Sequence, residues 1–143
     1  MFEKILYPTD FSDVAHKALD FVVSLKDAGA QEVVILHVID KGSFDAIARY
    51  ATKDIVEIEK NLKKRALDEI RPIEERLKRK GFTVKVMITK AVPYMGILDV
   101  EKKEKVSMIV IGSNGMSNIA EILLGSVSEK IVRRAKGPVL IVR

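Results

Sequence analysis

The chain has 143 residues, 48% of them hydrophobic, no cysteine and a formal net charge of +5. That length and apolar content suit one compact domain over 1–143 with its own core. The lack of cysteine excludes disulfides, thiolate nucleophiles and cysteine-held metals, and two histidines leave little for a histidine metal cluster.

The first ten residues carry Glu3 and Lys4 ahead of only a short apolar stretch, which makes no secretory core, and no segment is apolar for the length of a bilayer. A soluble, cytoplasmic protein with no membrane partner is expected. The basic excess is local: residues 60–80 hold nine Lys and Arg against four Asp and Glu. No aromatic residue interrupts that run, as stacking on nucleic acid would require. It reads as a solvated helix face with i,i+4 pairs such as Glu75 with Arg79, and a nucleic-acid partner is not expected.

Five short apolar runs mark strands over 5–7, 33–38, 84–88, 108–111 and 139–142. After the first, a helix starts near Ser12, buries Ala15, Ala18, Val22 and Leu25, and stops before Gly29. The stretch 41–44, extending to 49, reads as a mobile connection after the second strand. Ile47, Ala51, Ile55, Ile58, Leu62, Ala66, Ile70, Ile73 and Leu77 then keep steps of three or four. The spacing predicts one long helix, kinked at Pro72 and ended at Gly81. Pro93 opens a short helix through Ile97 and Leu98 toward Lys103. The last helix has the spacing of a capping box at Ser126 and Glu129, a stripe of Ile131, Val132 and Ala135, and a stop at Gly137-Pro138.

The apolar runs are β-branched and mostly continuous, as in strands covered on both faces. With helices between them they predict an α/β three-layer sandwich: a five-stranded parallel sheet of order 3-2-1-4-5 with helices on both faces.

Three glycines define the candidate site. Gly112 and Gly115 follow the fourth strand, where positive φ would expose backbone amides, and Gly125 precedes the last helix. A helix N-terminus binds anions through its free N–H groups and dipole, and Ser126 and Ser128 add hydroxyls. Two donor clusters about one turn apart suit a polyphosphate. In this sheet order the first and fourth strands meet where the winding reverses, so a crevice opens at their tips. Asp10 stands across from Gly112, placed for a ribose hydroxyl or base amino group, or equally to cap the first helix. Val38 at the end of the second strand could pair its backbone with a base edge. His16 and His37 read as packed or surface residues, and Met116, Leu123 and Leu124 as packing. No GxxxxGK[ST] motif occurs, the first turn has no glycine for a dinucleotide fold, and the third strand ends Ile88-Thr89-Lys90, without a receiver's phosphorylatable Asp.

At these residues the chain resembles the nucleotide-binding branch of the universal stress protein family. Its G-x2-G-x9-G-[S/T] motif is matched by Gly112, Gly115 and Gly125-Ser126. Tyr7-Pro8-Thr9-Asp10-Phe11-Ser12, Leu36-His37-Val38-Ile39-Asp40 and Gly137-Pro138-Val139-Leu140-Ile141-Val142 look like its opening, second and closing strands. The resemblance implies ATP bound with Mg²⁺ or Mn²⁺ through the phosphates, and a homodimer formed through the C-terminal strand. It would put Thr9 and Asp10, with Pro8, near adenine or ribose, Val38 at the base and Gly112 at the ribose. Gly115, Gly125, Ser126, Val127 and Ser128 would line the phosphates, with Ser113 and Asn114 completing the set. Asn114 departs from the His or Arg often found there, leaving charge neutralisation to amides and metal. The implied function is an ATP-binding, nucleotide-responsive dimeric switch in a stress response. No catalytic residue is assigned. The alternatives are a slow or partner-activated ATPase, and an interaction protein that does not use nucleotide.

Overall fold

The computed structural model describes residues 1–51, 54–113 and 125–143. In chain order it contains β1 (Lys4–Pro8), α1 (Asp13–Ser24), β2 (Glu32–Asp40), α2 (Lys41–Tyr50), α3 (Ile55–Lys80), β3 (Thr83–Ala91), α4 (Pro93–Glu104), β4 (Met108–Gly112), α5 (Ser126–Arg134) and β5 (Val139–Val142). The strands form one sheet of order β3-β2-β1-β4-β5, paired in parallel throughout.

Side chains alternate between two cores, which is why the strands read as continuous apolar runs. Ile5, Tyr7, Val33, Ile35 and Val110 pack with α1 and α3 on one face, through Ala18, Val22, Ile70 and Leu77. Leu6, Val34, Leu36, Ile109 and Ile111 pack with α4 and α5 on the other, through Ile97, Val100 and Ile131. The Tyr7 hydroxyl is buried and donates to the Ala15 carbonyl, which pins α1 to the first strand. Among the described residues no helix is long and apolar enough to cross a membrane.

Two expectations are corrected here. The stretch after β2 is a helix, α2, because the Asp40 carboxylate accepts from the Gly42 and Ser43 amides and caps it. The long stripe is also divided. Ile47 lies in α2, while α3 begins at Ile55 with Asp54 as its cap, accepting from the Val56 amide at 3.0 Å. From there one 26-residue helix runs through Pro72 to a left-handed Gly81. On it Lys78 pairs with Glu74 at 3.1 Å, a register different from the expected Glu75 with Arg79, and Arg76 reaches Asp20 on α1.

Candidate functional site

The turn after β1 forms one wall of the site. Thr9 is buried and its amide donates to the Leu36 carbonyl, so β1 stays paired with β2 through its end. Phe11 then takes a φ of 64°. A phenylalanine holds that left-handed conformation only when its surroundings over-determine it. Its amide donates to the Thr9 hydroxyl at 3.0 Å, and its ring stacks on His37 with centroids 4.6 Å apart. Nδ1 of His37 lies 2.8 Å from the Thr9 carbonyl oxygen, so this histidine is a packed brace of the turn. Ser12 caps α1 by accepting from the Ala15 amide, whereas the Asp10 carboxylate accepts from the Ser12 amide. Asp10 therefore shapes the turn and is exposed, and does not cap the helix.

The opposite wall is the start of α5. Gly125, with φ −59° and ψ 158°, occupies the cap position, and no side chain caps the helix. The expected capping box is absent because Ser126 is already the first helical residue and Glu129 pairs with Arg133. The Ser128 hydroxyl, 1% exposed, donates instead to the Gly112 carbonyl at 2.9 Å. Ser113 links the two loop ends: its amide donates to the Val142 carbonyl, and its own carbonyl accepts from the Gly125 amide. The first amides of α5, at Ser126 and Val127, have no intrahelical partner.

Gly112 plays a different part from the one expected. Its φ is not in the left-handed region, and a Cβ there would lie 3.0–3.1 Å from the Val14 side chain and carbonyl. It is glycine because β4 and the first turn of α1 approach closely.

Between these walls lies a cavity of about 260 Å³ at the C-terminal ends of the strands, where the winding reverses. Of the residues picked from the sequence, the structure brings Pro8, Thr9, Asp10, Val38, Gly112, Ser126, Val127 and Ser128 around it. Ser113 and Gly125 are not among the lining residues but adjoin Gly112 and Ser126, which are, and Asn114 and Gly115 lie outside the described residues, as do Met116, Leu123 and Leu124. Sequence reasoning missed Pro93 and Ile97, which bring α4 to the cavity, and Val14 and Ala15 from α1. The proline that starts α4 was the available signal, since a helix opening after β3 must begin at the same end of the sheet. Gly96 keeps α4 close: a Cβ there would sit 3.2 Å from that of Ala91 and 3.3 Å from a Val38 methyl.

The described lining contains two carboxylates, Asp10 and Asp40, and no Lys or Arg. Asp40 already accepts from two amides of α2. Among the described residues no group of three or more His, Asp or Glu side chains is gathered as a metal cage.

The profile of the Universal stress protein family matches residues 1–143. The universal stress protein MJ0577 of Methanocaldococcus jannaschii is 38% identical, covering 100% of this chain and 96% of its own. Universal stress protein YxiE of Bacillus subtilis is 36% identical with 100% of both chains covered. The solved structure of MJ0577 superposes with a TM-score of 0.88, covering 99% of this chain and 96% of that one. A universal stress protein from Archaeoglobus fulgidus, solved in complex with dAMP, shares the fold at a TM-score of 0.65 and 20% identity, covering 100% of this chain and 98% of that one.

Proposed function

From the premise that the chain belongs to the universal stress protein family, we propose that it is an ATP-binding regulatory protein of a stress response, a dimeric switch that responds to its nucleotide. The observation that carries this reading is the cavity at the strand tips, lined by Val38 of β2 and Asp10 of the turn after β1 together with the start of α5 and its free amides. A nucleotide lying across the tips has its base toward Val38, its ribose toward Asp10 and Gly112, and its phosphates toward Ser126 and Val127. The same fold holds an adenine nucleotide in the A. fulgidus protein.

A divalent ion fits this donor set as one carried by the phosphates, with the Ser126 hydroxyl and water completing its shell. Mg²⁺ is held in that manner in phosphate sites, and no all-protein cage is needed. Bound there it would neutralise phosphate charge that the described lining leaves without a cation.

Association through β5 is favoured by the contrast between the two sheet edges. β3 is a nine-residue edge whose Lys85 and Lys90 are engaged with Glu104 and Glu59. β5 has four residues, no charge, and partly exposed Val139, Leu140 and Ile141. Charged edges resist pairing, and the uncharged apolar edge at β5 lacks that protection. A cytoplasmic location goes with this reading, as does a single nucleotide-binding domain over 1–143.

The test is nucleotide carried through gentle purification, followed by calorimetry with Mg-ATP. Bound adenine nucleotide and a saturable heat are expected, with a nucleotide-dependent change in sedimentation. Gly125→Val should abolish the heat while the unfolding midpoint survives, because a branched side chain would block phosphate approach to the α5 amides. No nucleotide and no heat would refute the proposal.

A further inference from the structure

Two cations of α5 lie over a single ring of α4. Lys130 Nζ is 4.6 Å from the Tyr94 centroid and the Arg134 guanidinium carbon is 5.2 Å from it. Among the described residues neither cation has a carboxylate partner, since the ion pair on α5 joins Arg133 to Glu129.

The position of that ring matters. Tyr94 is the second residue of α4 and follows Pro93, which lines the cavity. Lys130 lies one turn beyond Ser126, which lines it as well. Helical side chains lean toward the N-terminus of their own helix. The ammonium, 4.6 Å from a ring in the first turn of α4, thus lies between two helices whose first residues, Pro93 and Ser126, line the cavity. The described lining itself carries no Lys or Arg, and Lys130 is the first cation along α5 from the residues that line it.

Resting on the nucleotide reading above, we infer that Lys130 determines specificity for phosphate-chain length. With a monophosphate, Lys130 stays on Tyr94. With a triphosphate, the terminal phosphate extends past the α5 amides, and the ammonium leaves the ring to pair with it. A phosphate outcompetes a ring for an ammonium in a half-open site, and Arg134 remains to cover the ring. Glu129 does not compete, because Arg133 holds it.

The experiment is calorimetry with the magnesium complexes of ATP and ADP, and with AMP, on the wild type, Lys130→Gln, Tyr94→Leu and the double variant. Lys130 is exposed, so Lys130→Gln keeps the fold, with the unfolding midpoint as control. Losing one charge-assisted contact should weaken ATP about tenfold and AMP less than about twofold, with ADP between. Tyr94→Leu removes the competing ring and should tighten ATP about threefold, a gain absent from the double variant. Equal losses for all three nucleotides, or an unchanged ATP affinity in Lys130→Gln, would overturn the inference while leaving the nucleotide reading intact. A wild type that binds none of the three would overturn both.

Discussion

Alanine at position 112 would set a methyl group against the first turn of α1. An ideal Cβ there lies 3.0 Å from Val14 Cγ1 and 3.1 Å from both its carbonyl carbon and oxygen. Rotation of Val14 can relieve the first contact, but the other two are backbone and yield only if α1 moves. That helix is held in place by the Ser12 cap, by the Tyr7 hydroxyl on the Ala15 carbonyl, and by buried Ala15 and Ala18 against the sheet. Overpacking of this kind costs about 1–3 kcal/mol. Replacing glycine with alanine returns about 0.4–1 kcal/mol by stiffening the unfolded chain. Gly112→Ala should thus lose about 1 kcal/mol within a span of about 0–2.6, or roughly 3 °C of melting temperature at the centre in a chain of this size. Urea unfolding checks this, with an unchanged slope showing that the loss lies in the native state. A variant more stable than the wild type by about 0.4–1 kcal/mol, the gain expected of alanine alone, would show that α1 yields freely and would refute close packing as the reason for this glycine.

Burial pushes the Tyr7 hydroxyl from 10.0 up to about 12. The fold keeps the neutral form, so this contribution is complete below pH 10 and is lost as pH rises from about 10 toward 12, by at most about 3 kcal/mol. Tyr7→Phe should be about 1 kcal/mol less stable at neutral pH yet lose less stability on the alkaline side; parallel profiles in urea unfolding would rule Tyr7 out as the source. The Glu101 carboxylate, 7% exposed, accepts from the Lys136 and Gly137 amides that lead into β5. Glu101→Ala should cost about 2–3 kcal/mol and lower hydrogen-exchange protection in β5, with Glu101→Gln recovering part of both; unchanged β5 protection would show that the carboxylate is not its anchor.

The sheet was legible because its strands are buried on both faces, and a run such as Met108-Ile109-Val110-Ile111 has no other comfortable place in a protein of this size. The division between α2 and α3 was not. Ile47, Ala51 and Ile55 keep steps of four whether or not the backbone between them is helical, so periodicity is blind to the break. What determines it is a pair of aspartates, Asp40 and Asp54, each turning its carboxylate onto amides just ahead of it. In a stripe analysis both count only as polar residues, although Asp40-Lys41-Gly42-Ser43 carries a cap signal of its own.

At the site, the sequence located the cavity better than it assigned roles within it. Ser126 and Glu129 have capping-box spacing, but local spacing cannot choose between serines two positions apart when a tertiary contact decides. The Gly112 carbonyl takes the Ser128 hydroxyl proton, and that bond sets the rotation of α5. Ser128 is thereby committed to the frame, and Gly112 is committed to α1. What α5 can present to a phosphate is the Ser126 hydroxyl and the leading amides. Hydrolysis needs more: a group to orient water in line with the terminal phosphate, and charge that tightens in the transition state. Among the described lining residues the carboxylates are Asp10, which accepts from Ser12, and Asp40, which caps α2. Amides at a helix start hold a ground-state phosphate as firmly as they would a transferring one, so they favour affinity over rate. That balance supports the proposal that the cavity holds nucleotide and that its occupancy is the signal.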